Sequence, residues 1–170
     1  IKEAVVDKDR SLDFDFIFGR IEPDGKRSKM IPIDGQQRLT TLLLLYWYAA
    51  YKKDRLVEVR NNLSNFSYKI RPSAERFLKY FIKYNLESIG NKSSMSTKVT
   101  NESWFCHQWK LDPTVQGMLE MLDSIHSLFS DVPGLFDCLY NENRITFQFK
   151  KMEELGLNDD VYIKMNSRGK

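Results

Sequence analysis

From Leu39 to Ala50 nearly every residue is apolar or threonine, LTTLLLLYWYAA. A surface helix needs one apolar stripe; a helix apolar on all sides has to be wrapped by other elements. The run therefore predicts a central helix, and the rest of the chain has to supply its cover. With 170 residues the chain is long enough for one substantial core. The fully apolar part, Leu42 to Ala50, is too short to cross a bilayer, so no membrane partner is expected.

The segments on either side fill in the architecture. SLDFDFIFGRI alternates, with Leu12, Phe14, Phe16 and Phe18 expected on one face of a half-buried strand and Gly19 as a bend. EPDGKRS carries Pro23 and an Asp-Gly pair and reads as a turn. KMIPI returns as a second strand, which makes a hairpin from Phe14 to Ile33. Pro32 argues for an edge position or a strand end. Asp34 stands where an N-cap would stand, with Gln37 at the capping-box spacing. Lys52 and Lys53 suit the end of the central helix.

Beyond it, residues 54–70 predict a shorter helix and residues 71–90 another. The second has Pro72 in its first turn, the stripe Phe77, Leu78, Phe81, Ile82 and Leu86, and Gly90 closing it. NKSSMSTKVTNES is polar and unpatterned and reads as a mobile loop. A helix should start near Pro113 and end before Pro133, with Val115, Met118, Leu119, Leu122, Ile125 and Phe129 at helical spacing. PGLFDCLY adds a short helix. In RITFQFK, Ile145, Phe147 and Phe149 alternate with polar residues, a clear strand. A last helix is expected from Asn158 to Asn166, left by the loop NSRG. The expected class is α+β, helix-rich with a small mixed sheet. One domain over 1–170 is expected: strands and motif helix over 1–53, a helical middle over 54–142, and strand, helix and Asn-Ser-Arg-Gly loop over 143–170. Both ends read as cut.

Composition narrows the function classes. The net charge of +3 neither establishes nor excludes nucleic-acid binding. Cys106 and Cys138 make neither a disulfide framework nor a zinc knuckle, and His107 and His126 lack ligand spacing, so no metal-ligand set is assigned. The default compartment is a reducing cytoplasm. Trp47 with Tyr46, Tyr48 and Tyr51, and Trp104 with Trp109, are available as base platforms, with the core as the commoner fate of such residues.

The polar knot Asp34, Gly35, Gln36, Gln37, Arg38 sits directly ahead of the apolar run. The first amides of a helix lack internal acceptors and carry the positive end of its dipole. Arg38 there is unfavourable for the helix alone, and anion binding reverses that sign. A phosphate would take free backbone donors and a guanidinium together. Gly35 permits close backbone approach or an unusual dihedral, and Gln36 and Gln37 both donate and accept. The plain alternative is that Asp34 caps, Gln37 completes the box and Arg38 pairs with Asp34. Physical argument leaves the two open. The knot is not a P-loop. Asn166, Ser167 and Arg168 before Gly169 raise the same question, with a solvated helix exit as the alternative.

IDGQQRLTTLLLL together with YIKMNSRGK resembles the DUF262 family, the N-terminal domain of GmrSD-type modification-dependent restriction enzymes, within the ParB/sulfiredoxin-like fold group. Asp34 to Leu42 match the family's first signature throughout, and Asn166 to Gly169 match its second. FDFIFGRI also looks like the family's segment ahead of the first motif. The middle, about 54–143, matches only in helical character. The family's earlier segment, rich in Arg with an aromatic, is not found before Ile1, so an incomplete pocket is expected in this chain.

The resemblance implies a ParB/sulfiredoxin-like α+β domain with a long buried helix and a helical insertion. It implies a nucleotide-binding, NTP-hydrolysing regulatory module of a phage-defence protein, with ATP or GTP and Mg as cofactors. Modified phage DNA would be the partner through the full-length protein, and a homo-oligomer is an open expectation. Arg38 would grip phosphate. Asp34 would orient a water or a divalent ion, or fix Arg38, so these two are the catalytic candidates. Gly35, Gln36 and Gln37 would join Arg38 in binding, and Asn166 and Arg168 would close the other side. None of these residues carries His-Asn-His chemistry, so nuclease activity is assigned to a C-terminal domain outside them. The alternatives are a DNA-binding or modification-sensing module without hydrolysis, and an interaction domain with a relic motif.

Overall fold

This computed structural model describes residues 1–68, 71–86 and 93–156. In chain order its elements are α1 (Lys2–Val6), β1 (Leu12–Asp24), β2 (Arg27–Pro32), α2 (Gln36–Lys52), α3 (Leu56–Leu63), α4 (Pro72–Lys83), α5 (Met95–Thr100), α6 (Pro113–Phe129), α7 (Leu135–Tyr140) and β3 (Ile145–Lys151), with short 3₁₀ turns at His107–Leu111 and Glu153–Leu155. The class is mixed α+β, as expected, with a small sheet, a long buried helix and a helical insertion.

The apolar run is central. Leu44, Leu45, Trp47, Ala49 and Ala50 of α2 are each at most 1% exposed. Helices α3, α6 and α7 pack around it. Burying a leucine-sized side chain contributes about 1.5–3 kcal/mol, so this one helix anchors the core. The aromatic residues are mostly consumed in the same packing. Trp47 stacks on Tyr51, with ring centroids 5.2 Å apart and planes 6° apart, and lies 4.1 Å from Phe81. Trp109 is 4% exposed and sits edge-on to Phe77. Trp104 is half-buried and stacks on Tyr84. These rings are core and core margin rather than a base platform.

Among the described residues the sheet has the order β2-β1-β3. The hairpin of β1 and β2 turns at Gly25 and Lys26, with Asp24 paired to Arg27 and Gly25 at φ 61°. Among the described residues β2 is an edge strand and Pro32 is its last residue, a position at which proline is tolerated. β3 runs parallel to β1. Its alternation is as read: Ile145 is buried, Phe147 and Phe149 are half-buried, and Thr146 and Gln148 are exposed.

The alternation expected in β1 is broken. Between the pairs Asp13–Thr146 and Phe16–Gln148, β1 carries two residues where β3 carries one. Such a bulge switches the face of everything after it. Phe16 is consequently 40% exposed, with the Lys150 ammonium 5.0 Å from its ring centre, and Ile17 is 0% exposed. Gly19 is not a bend but part of the continuous strand. A Cβ there would lie 2.2 Å from the Ile31 carbonyl oxygen, so the position excludes any side chain.

Other expectations shift for local reasons. The helix expected through Gly90 ends at Lys83, where Tyr84 is extended, although Leu86 is still buried; Gly90 itself lies outside the described residues. The expected loop around residue 95 contains α5. Ser94 caps it by accepting from the Thr97 amide at 3.1 Å, and Met95 and Val99, one turn apart, are both fully buried. Ser96 ties it to α6 through Asp123. Lys52 serves a different helix end from its own, donating to the carbonyls of Phe129 and Val132 at the end of α6, at 2.9 and 3.2 Å. Helix α1, unforeseen, is held by Arg144, whose guanidinium donates to Ala4 O at 2.5 Å and Asp7 O at 2.8 Å. No described helix is long and apolar enough to cross a membrane.

Candidate functional site

The polar knot lies where the end of β2, the bulge of β1 and the start of α2 meet. The amides of Ile33 and Asp34 both donate to Phe18 O, at 2.8 and 3.2 Å, which ties the entry of the knot to β1. Gly35 is then the N-cap of α2 at φ 82°. That left-handed conformation favours glycine. Space does too: a Cβ on Gly35 would lie 3.0 Å from Ile17 Cγ1 and 3.3 Å from Arg38 Nη2. The bulge turns Ile17 inward, and Ile17 and the Arg38 guanidinium close on Gly35 from two sides.

The capping box is therefore corrected. Asp34 precedes the cap, and the cap residue is Gly35, which has no side chain to make a capping bond. Helix geometry explains this. An N-cap side chain works from extended backbone, and the left-handed turn at Gly35 moves the helix start one residue beyond Asp34. Gln36 Nε2 instead donates back to Pro32 O at 3.1 Å.

Arg38 makes the central contacts. Its Nη1 donates to Phe14 O at 2.9 Å, and its Nη2 lies 3.5 Å from Asp34 Oδ2. Phe14 is one of the two residues that β1 sets against the single Phe147, so the bulge presents this carbonyl to the guanidinium. The Arg38 side chain keeps 35% of its surface exposed and that of Asp34 keeps 44%. The first intrahelical bond of α2 is Leu39 N–H to Gly35 O. Among the described residues no acceptor meets the amides of Gln36, Gln37 or Arg38. The corner thus offers backbone donors, the positive end of a 17-residue helix and a guanidinium pre-set on two anchors. One turn on, the Thr40 hydroxyl donates to Gln36 O at 2.8 Å and meets the Tyr68 hydroxyl.

Residues 8–170 match the family described as GmrSD restriction endonuclease, N-terminal domain. The chain belongs to this family. A search of the curated proteins found no match, and a search of the solved structures found none. Membership makes the chain an N-terminal module of the GmrSD type of restriction endonuclease, as its two motifs suggested.

Within this GmrSD N-terminal domain, Asp34, Gly35, Gln36, Gln37 and Arg38 are brought together on one corner. Asn166 and Arg168 lie outside the described residues, as does the last expected helix. Reading the sequence missed Phe14, whose contribution is a carbonyl and so carries no side-chain signal. It also missed Ile17 as the seat of Gly35, because the bulge decides which way Ile17 points. Cys106 and His107 are both exposed, and among the described residues no three His, Cys, Asp or Glu side chains gather as a metal site.

Proposed function

We propose that this domain binds a nucleoside triphosphate at the start of α2 and uses it to regulate DNA restriction by the protein that carries it. The observation that carries the reading is the anchored guanidinium of Arg38 beside three helix amides that have no acceptor among the described residues. Phosphate oxygens complement both at once, since they accept from backbone donors and match the planar fork of arginine. Gly35 supports the same corner, because its φ of 82° and the close packing of Ile17 and Arg38 on it both call for glycine where the chain enters the helix.

In this reading Arg38 grips phosphate, Gln36 and Gln37 contact phosphate or sugar, and Gly35 sets the backbone turn that brings them together. Asn166 and Arg168, outside the described residues, would close the far side by the family resemblance. Asp34 is the carboxylate of the motif. Magnesium is usually bound through one or two carboxylates together with substrate phosphates, so Asp34 is the residue that would help hold it, and the ion would neutralise phosphate charge. Hydrolysis requires an in-line water, which Asp34 would orient in this reading. Modified DNA is the partner through which the regulation would act.

The test is calorimetric titration with ATP and GTP, with and without Mg, of the full protein and of an Arg38→Ala variant whose fold is verified. One-site binding lost in the variant supports the reading and opens a phosphate-release assay with modified DNA present. Salt-sensitive DNA binding that survives loss of Arg38, with no nucleotide bound, would replace it with DNA recognition alone.

A further inference from the structure

A second concavity begins one residue past Arg38. It has a volume of about 490 Å³ and runs between α2, the end of α3, the end of α7 and β3. Leu39 and Leu42 form its near side. Leu42 follows Arg38 by four residues, so the two side chains are neighbours on the same helix face. The volume falls in the range of small-molecule sites.

The chemistry of the walls is divided. Tyr46, Phe66 and Phe147 bring aromatic rings and Leu43 an aliphatic one-sided surface. The tyrosine hydroxyls are spent elsewhere: Tyr46 donates to Leu139 O at 3.0 Å and Tyr140 donates to Tyr46 O at 3.1 Å. These bonds fix the rings and leave an apolar slot. Besides the tyrosines, the polar side chains that line it among the described residues are those of Asn62, Asn65 and Asn143. Among the described residues their side-chain amides make no hydrogen bond, and all three are exposed. An asparagine offers a donor and an acceptor side by side, which matches the edge of a heterocyclic base. Apolar walls with amides at the rim suit a flat, weakly polar ring with hydrogen-bonding groups on its edge. They do not suit a lipid tail, which needs no amides, or a second phosphate, which needs cations.

We infer that this cleft receives the base of the nucleotide whose phosphates Arg38 holds, with Asn62 and Asn65 reading its edge. The inference rests on the phosphate reading above and names the other half of the ligand. It gives α2 two roles along its first three turns: amides and guanidinium for phosphate, then leucine and tyrosine for the base. Asn143 shapes the rim from a left-handed backbone at φ 49°.

The experiment separates the two halves by comparing ATP and GTP with inorganic tripolyphosphate, titrated into the full protein, an Asn65→Trp variant and an Asn62→Ala/Asn65→Ala variant. Both substitutions fall on exposed positions, and thermal unfolding checks that each variant folds. The expected result is a nucleotide affinity lowered by roughly tenfold or more in both variants, because unmet base-edge groups and a filled slot each oppose binding, with tripolyphosphate affinity unchanged. Nucleotide affinity within twofold of the parent in both variants would overturn the cleft and leave the phosphate corner standing. Equal binding of tripolyphosphate and nucleotide by the parent would do the same. If neither ligand binds the parent, the phosphate reading falls and the cleft assignment with it.

Discussion

The guanidinium of Arg38 donates to the backbone carbonyl of Phe14 at 2.9 Å, joining the first turn of α2 to the bulge in β1, twenty-four positions earlier in the chain. A side chain that reads as the helix's electrostatic misfit is thus the strut between helix and sheet. The same group faces Asp34 at 3.5 Å, on a surface only partly covered.

Replacing Arg38 by lysine keeps the charge but not the fork. One ammonium on a flexible stem does not hold the Phe14 carbonyl and face Asp34 as a planar group does. The expected outcome is nucleotide affinity reduced by about tenfold or more, with little change in the unfolding midpoint, because a half-exposed ion pair contributes about 1 kcal/mol or less. Titration and thermal unfolding of the same preparation check this. Full affinity in the lysine variant would remove the planar fork from the account.

Gly35→Ala should destabilise the domain. Its φ of 82° disfavours any Cβ, and the added methyl would press on Ile17 and Arg38. The left-handed conformation alone costs about 1–2 kcal/mol for an L-residue. Denaturant unfolding should show a lower midpoint with an unaltered slope. A midpoint equal to the parent's would mean that the cap does not need glycine.

Alkaline pH should weaken the fold through Tyr48. Burial, with smaller contributions from Tyr51 and Asp131, pushes its phenol up from 10.0 to about 12. Its hydroxyl lies 2.9 Å from His126 Nδ1. The folded state therefore keeps a proton that the unfolded chain releases near pH 10. This contribution is fully present below pH 10 and is lost as pH rises towards 12. Burial also raises Tyr46 and Tyr140, which adds to the same slope. Unfolding free energy followed from pH 8 to 12 should fall in the upper half of that range and less steeply in Tyr48→Phe. Identical slopes for variant and parent would rule out Tyr48 as a source.

Leu44 is fully buried at the middle of α2. Leu44→Ala removes apolar surface and leaves a cavity, at a cost of about 2–5 kcal/mol. Equilibrium unfolding measures it. A change under half a kilocalorie would contradict the central position of the helix.

The sequence alone determined what depends on neighbours along the chain. Twelve nearly unbroken apolar positions made α2 a buried helix, whatever surrounds it. Asp-Gly at residues 24 and 25 set the hairpin turn, and the period-2 pattern of residues 145–149 set β3. The motif Asp34 to Arg38 was legible as a group, and so was the family. Only tertiary structure decided how that group is built. The bulge in β1 arises from pairing with β3, about 130 positions away, and no local pattern encodes a register between strands so far apart. That pairing turns Ile17 inward, exposes Phe16 and delivers the Phe14 carbonyl to Arg38. It also makes glycine necessary at the cap, because Ile17 occupies the space in which a side chain at position 35 would sit. Periodicity and turn chemistry are read over a few residues, whereas carbonyl partners and clefts exist only once distant elements have packed.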